Sequence, residues 1–302
     1  MEGTILSEKA DLHMHSKFSL DGELEVEEIL KVCKNSGMNT ISITDHNSVK
    51  GVPAAVESGP SYGMTVIPGI EIDCNYKGTD LHVLGYNIDP QSRDFAILED
   101  QIATRVMDSF SAMVENLSRA GIDVDAGEVL HRAKGGLPSG ELIAEVLLSN
   151  SKYRGIERLN PYRPGGERSD MPYINFYLDY FAQGKSAYVK IEYMDFPEAV
   201  ALIKANKGVP VVAHPGLNLK GREDIVEELL DQGASGVEVF NNYHDYDQMA
   251  FFAGVVQKRN ALMTCGSDFH GKTKPLIKPG IFRKIREYEG YVAASIERLR
   301  IR

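Results

Sequence analysis

The chain repeats one unit along much of its length: a short apolar run that closes on polar residues, several of them able to bind a metal, followed by a stretch of helical periodicity. Residues 10–15, 40–46, 65–71, 209–214, 236–240 and 261–268 are the runs, and each reads as a strand. Strands that alternate with helices pair in parallel, because a parallel pair needs a crossover that a tight turn cannot supply. Between the first two runs, Val26, Ile29, Leu30 and Cys33 fall three or four apart, and Gly37 stands where a helix would stop. That spacing predicts one amphipathic crossover helix. Residues 81–86 follow Glu71 too closely for another crossover, so they are expected to form a hairpin-paired strand turning near Lys77-Gly78. A long helical pattern covers about residues 92–120.

After it the order loosens through Lys134-Gly135-Gly136, Pro161, Pro164-Gly165-Gly166 and Pro172, in a stretch rich in Tyr, Arg and Asn. Residues 121–190 are therefore expected to be an insertion, with 1–120 and 191–302 forming one α/β domain; α/β barrels routinely reach 302 residues as a single unit. Hydrophobic residues at 43% and charged residues at 25% are ordinary for a globular protein, and no apolar run is long enough to span a bilayer. Residues 1–10 carry Glu2, Glu8 and Lys9 and lack a signal peptide's apolar core. Cys33, Cys74 and Cys265 form no C-x-x-C pair and are odd in number, which suits a reducing cytoplasm. A net charge of −10 argues against tracking a nucleic-acid polymer. It does not exclude a small anionic substrate, because a bound cluster of divalent ions reverses the local field.

Alternation along a strand points Asp11, His13 and His15 to one side, and Leu12 and Met14 to the other. Two histidines so placed describe ordinary strand residues as well as metal ligands. The collective pattern favours ligands: six of the eight histidines (13, 15, 46, 82, 214 and 270) fall on strands or strand ends, joined there by Glu71 and Asp268. Barrel enzymes place their chemistry at that C-terminal mouth.

The motifs Asp11-Leu12-His13-Met14-His15-Ser16, Ile43-Thr44-Asp45-His46, Gly69-Ile70-Glu71, Ala213-His214-Pro215 and Gly266-Ser267-Asp268-Phe269-His270 resemble those of the PHP (polymerase and histidinol phosphatase) domain family. The resemblance covers most of the chain outside the insertion. It implies a distorted (βα)7 TIM-like barrel with a smaller, mainly helical lid, and two to three divalent ions (Mn, Zn or Fe). It also implies ligands: His13, His15, Glu71 and Asp268 for one ion, and Glu71, His82 and His214 for a second. Asp21, His46 and His270 would hold the third; many relatives carry a histidine where Asp21 stands. Asp11 and Asp45 are either orienters of neighbouring ligands or structural.

Two ions about 3.5–4 Å apart can hold and activate a hydroxide and stabilise an in-line displacement at phosphorus. Glu71 is the least replaceable ligand, since a carboxylate has two oxygens to share between ions. With Asp268 and His244 it makes up the expected catalytic set. His244 resembles a position that meets the substrate, and Lys17, Arg163, Arg168 and Lys185 are candidate phosphate contacts, each equally describable as a solvated surface cation. The tyrosines of residues 173–177 either stack on substrate or form insertion core. The expected activity is hydrolysis of a small phosphorylated metabolite, with a slight preference for a phosphorylated sugar or cyclic phosphate. Compared with 3′,5′-nucleotide bisphosphate phosphatases, residues 150–176 look longer, and Ser139-Gly140-Glu141-Leu142 stands where those have an Arg-containing helix. The alternatives are such a bisphosphatase, a histidinol-phosphate phosphatase, an exonuclease and a non-catalytic metal-binding module. No nucleic-acid polymer or membrane partner is expected.

Overall fold

The computed structural model describes residues 9–301; residues 1–8, most of the segment expected to lack a signal peptide, lie outside the described residues. Its strands are β1 (Ala10–Asp11), β2 (Thr40–Ile41), β3 (Thr65–Val66), β4 (Gly69–Tyr76), β5 (Thr79–Tyr86), β6 (Met194–Asp195), β7 (Val209–Val212), β8 (Gly236–Phe240) and β9 (Leu262–Cys265). They form two sheets, a parallel one ordered β1-β2-β3 and a mixed one ordered β6-β4-β5-β7-β8-β9. The expected hairpin is there: β4 and β5 are antiparallel from Gly69↔Tyr86 to Tyr76↔Thr79. Lys77 (φ 50°) and Gly78 (φ 81°) turn it with the positive φ values a tight hairpin requires.

Helices fill the crossovers. Val26–Asn35 buries Val26, Ile29, Leu30 and Cys33, the four residues whose spacing predicts it, and Gly37 turns the chain away at φ 72°. The long helix is Arg93–Arg119, and the Ser92 hydroxyl caps it by accepting from the Asp94 N–H. Its first half (Phe95, Leu98, Ile102, Val106) lies in the main core with Phe196, Val237 and Phe252. Its second half (Phe110, Met113, Leu117) joins a separate apolar cluster with Ile143, Leu147 and Phe176. One rigid element thus ties the two cores. Burying each such side chain contributes about 1.5–3 kcal/mol.

β8 covers the whole apolar run at 236–240, but several other strands are shorter than their runs suggest. The run at 65–71 breaks because Pro68 has no N–H to give a ladder, leaving β3 and β4 as separate strands. The ladders of β1, β2 and β9 end at Asp11, Ile41 and Cys265, before the metal-competent residues. Beyond those points carboxylates replace the ladder. Asp11 accepts the N–H groups of His13, Ser267 and Gly280, at 3.2, 2.9 and 2.7 Å, and Asp45 accepts the N–H and hydroxyl of Ser16. Both acids therefore anchor backbone rather than orient imidazoles. Scattered backbone bonds still link the two sheets there, including Leu12 N–H to Cys265 C=O at 3.1 Å and Glu71 N–H to Asp45 C=O at 3.2 Å.

Candidate metal centre

Alternation holds past the end of β1. Leu12 and Met14 are fully buried in apolar clusters, while His13 and His15 turn the other way, toward Glu71 on β4 and Asp268 beyond β9. Four overlapping groups bring potential ligand atoms within 4.8 Å of one another: His13, His15, Glu71 and Asp268; Glu71, His82 and His214; His15, Asp21, His46 and His270; and His46, Asp73 and His82. All nine residues singled out as ligands are brought together.

The distances suit coordination. Ligand atoms about 2.0–2.2 Å from one ion stand roughly 3–3.5 Å from each other. In the first group the Nε2 atoms of His13 and His15 lie 3.0 and 3.2 Å from Glu71 Oε2, and 3.4 and 3.1 Å from Asp268 Oδ1. The other oxygen of Glu71, Oε1, faces His82 Nδ1 at 3.0 Å and His214 Nε2 at 2.9 Å. One carboxylate thus offers a different oxygen to each of two sets. His270 Nε2 lies 2.9 Å from Asp21 Oδ2.

Around this centre the imidazoles are held from behind. Nδ1 of His13 lies 3.0 Å from Glu238 Oε1, and Nδ1 of His46 lies 2.8 Å from Asp73 Oδ1. Nδ1 of His214 meets Asn218 Oδ1 at 2.7 Å, Nδ1 of His270 meets the Asp268 carbonyl at 2.8 Å, and Nδ1 of His15 meets the Ser19 hydroxyl at 3.1 Å. Where Nδ1–H donates outward, the Nε2 lone pair is left for the centre. Two of those inward atoms, Nε2 of His15 and of His270, are buried and make no hydrogen bond among the described residues. They lie beside carboxylate oxygens yet are not aligned with them, as ligands aimed at a common point are.

Charge says the same. Asp11, Asp45, Glu71, Asp73, Glu238 and Asp268 are buried, and Lys274 is the lysine buried with them. Burying anions without counter-charge is costly, and divalent cations would supply it. Burial alone would raise Glu71 and Asp268, yet Glu71 is held well below the usual carboxylate range by His13, His46 and His82, and Asp268 by Lys274, His270 and His13. Burial likewise opposes charge on His13, but Glu71, Glu238 and Asp268 outweigh it and raise that imidazole well above 6.5. Acids that stabilise an imidazolium also stabilise a metal dication. Burial drops His270 to about 4, so at neutral pH its ring is uncharged and free to ligate.

The expected substrate contacts are either engaged with partners of their own or exposed. His244 is fully buried; its Nδ1–H donates to the Val239 carbonyl at 2.8 Å and its Nε2 accepts the Gly216 N–H at 2.9 Å. Neither ring nitrogen is left for substrate, so His244 ties a loop to β8. Arg163 spends its guanidinium on the carbonyls of Tyr153 and Arg154 and on Asn160, and Arg168 grips Asp179 through two nitrogens, each at 3.0 Å. Both brace the segment between residues 153 and 179. Lys17 pairs with Glu25 at 2.7 Å, with its side chain 42% exposed, and Lys185 is exposed. Phe176 is core, and its ring meets Tyr162 and Tyr180.

Three residues escape the sequence reasoning. Asp73 obeys the same alternation as His13 and His15, two places beyond Glu71, so that rule could have found it. Glu238 is an acid inside the apolar run of β8, a signal in itself. Lys274 looks no different in sequence from Lys272, whose side chain is 46% exposed and pairs with Glu145.

Gly266 permits the close approach of β9 to β1: a Cβ there would sit 2.2 Å from His13 Cβ and 2.7 Å from Glu238 Oε1. Gly266→Ala is expected to cost about 1–3 kcal/mol as an overpacking change and to weaken metal binding by displacing His13. A urea midpoint and metal content both equal to the parent's would refute this.

The comparisons agree with the geometry. The family model described as PHP domain matches residues 11–159. A 5′-3′ exoribonuclease of Haemophilus influenzae is 29% identical, over 88% of this chain and 91% of its own. A phosphoribosyl 1,2-cyclic phosphate 1,2-diphosphodiesterase of Eggerthella lenta is 27% identical, over 87% and 94%. A 3′,5′-nucleoside bisphosphate phosphatase of Chromobacterium violaceum is 25% identical, over 86% of each. With the motifs in place from Asp11 to His270 and their side chains gathered at one centre, the chain carries the PHP domain that the family model matches over residues 11–159.

Proposed function

We propose that the protein is a metal-dependent phosphoesterase of a small phosphorylated metabolite, a ribose phosphate or cyclic phosphate, holding two to three divalent ions (Mn, Zn or Fe). The observation that carries this is the set of imidazoles anchored at Nδ1 with Nε2 turned toward buried carboxylates. His13, His15, Glu71 and Asp268 would hold one ion and Glu71, His82 and His214 a second. Asp21, His46 and His270 would hold a third. When bound, such ions polarise a phosphoryl group and lower the pKa of water. The chain's own residues supply the rest. Glu71 spaces the two ligand sets, the Nδ1 partners keep the imidazoles in the ligating tautomer, and the buried walls hold bulk water away.

In this proposal the two sheets are parts of one distorted (βα)7 barrel, supported by the backbone bonds between them. Residues 121–190 act as its lid. The salt bridge of Glu145 to Lys272, at 3.0 Å, ties the insertion to the loop after His270. Burial beside Asp21 pushes Glu141, on the same helix as Glu145, up to about 7. A cytoplasmic setting suits the three cysteines, which are buried. Among the described residues no helix is long and apolar enough to cross a membrane.

A second reading, cleavage at an RNA end, is favoured by the Haemophilus relative. Net charge does not separate it from the first, because an enzyme that holds only a terminal nucleotide needs no long basic track.

The test is a panel on Mn-reconstituted protein: cyclic ribose phosphates, sugar monoesters, nucleoside 3′,5′-bisphosphates, histidinol phosphate and 5′-phosphorylated short RNA. Turnover is expected on the sugar and cyclic phosphates. Turnover of RNA alone would select the second reading, and inactivity across the panel with metal bound would overturn both. Chelation should lower the melting temperature, since an ion that binds only the native state stabilises it by about 2.7 kcal/mol at a hundred times its Kd. Addition of Mn should restore it.

A further inference from the structure

The loop after His270 makes a short 3-10 turn at Gly271–Thr273 and returns Lys274 beneath Asp268. Lys274 is only 7% exposed. Its ammonium lies 2.6 Å from Asp268 Oδ2 and 2.9 Å from the Tyr243 hydroxyl, and that hydroxyl donates to the same Oδ2. The opposite oxygen, Oδ1, faces His13, His15 and His270. The carboxylate is thus divided, with one oxygen gripped by two donors and the other turned to the metal centre.

The backbone beneath it is fixed as well. Asp268 sits at φ 59°, a left-handed conformation unusual for a side-chain-bearing residue. Its N–H donates to the His13 carbonyl at 2.9 Å, and the preceding carbonyl, of Ser267, accepts from Asn242 at 2.9 Å. With the main chain held, the remaining freedom is rotation of the carboxyl group, which Lys274 and Tyr243 stop. A carboxylate free to rotate can ligate through either oxygen or both. One with Oδ2 engaged offers a single oxygen in a fixed direction.

We propose that Lys274 and Tyr243 form a positioning clamp that makes Asp268 a one-oxygen ligand and sets the affinity of the first metal position. The clamp rests on the metal-centre proposal above, and neither residue is assigned contact with substrate. Partners of this kind shift metal affinity on the order of 10- to 100-fold when removed.

The experiment measures the Mn dissociation constant by competition with a chelating dye, and the urea midpoint of the metal-free protein. The variants are Asp268→Asn, Lys274→Met, Tyr243→Phe and the Lys274/Tyr243 double change. Asp268→Asn should abolish the tight Mn position. Lys274→Met and Tyr243→Phe should each weaken it, by 10-fold or more for Lys274. The double variant should lose less than the product of the two single losses, because both donors act on one oxygen. Should Lys274→Met not fold, Tyr243→Phe carries the test alone, being a loss of one hydroxyl. If Asp268→Asn loses Mn while Lys274→Met and Tyr243→Phe stay within twofold of the parent, the clamp is overturned and the ligand assignment stands. If Asp268→Asn itself binds Mn like the parent, the ligand assignment fails and the clamp with it. A lowered urea midpoint with unchanged Mn affinity would make the pair structural and also overturn the proposal.

Discussion

Glu71→Ala should lose bound metal and turnover together. Its side chain is fully buried, with Oε2 facing His13 and His15 and Oε1 facing His82 and His214. Among the described residues no other carboxylate faces the inward ring nitrogens of both sets, so its removal strips an oxygen from each and leaves the pair without a shared ligand. Turnover on any phosphoester the parent hydrolyses should fall at least about 100-fold, the lower range for losing a principal electrostatic contributor at an active site. Mn content should fall in parallel. The fold should survive, because a histidine that loses its counter-charge can shed its proton instead of remaining a buried unpaired cation. Elemental analysis, steady-state rates and a urea melt on one preparation check all three. A variant with full metal content and near-normal rates would refute the bridging assignment.

What was legible in the sequence depended on whether a local rule governed the residue. His13 and His15 follow from strand alternation and the helix at Val26–Asn35 from its spacing, and the structure has both. Most strand lengths did not follow, β8 being the exception. Asp11 and Asp45 take backbone N–H groups with their side chains, an alternative to the ladder that an apolar run does not announce. For three of the substrate-contact candidates the sequence did not show the partners they take in the fold. Arg163, Arg168 and His244 have the chemistry to meet a phosphate, but their partners come from tertiary packing, and those partners are carbonyls, Asp179 and a backbone N–H. Lys274 shows the converse: a lysine in a polar loop reads as surface until the fold closes over it.

Glu238→Gln should weaken metal binding although it changes no ligand and almost no volume. Glu238 is fully buried on β8, where Oε1 accepts from His13 Nδ1 at 3.0 Å and Oε2 from the His214 N–H at 2.9 Å and from Asn241 at 3.2 Å. Three donors converge on two oxygens, which only a carboxylate satisfies. A glutamine has one oxygen. If that oxygen faces His214 and Asn241, the amide NH2 points at His13 Nδ1, which must then accept. The proton moves to Nε2, and the lone pair aimed at the metal centre is gone. If instead the oxygen faces His13, the NH2 meets two N–H donors and the loop bearing His214 must shift. Either arrangement costs about 1–3 kcal/mol of stability for the unsatisfied buried group and on the order of 10- to 100-fold in metal affinity. Gln and Glu occupy nearly the same space, so a pure packing role predicts no change in affinity. Mn titration of the folded variant decides between them: a dissociation constant within twofold of the parent's would show that His13 keeps its tautomer without this carboxylate.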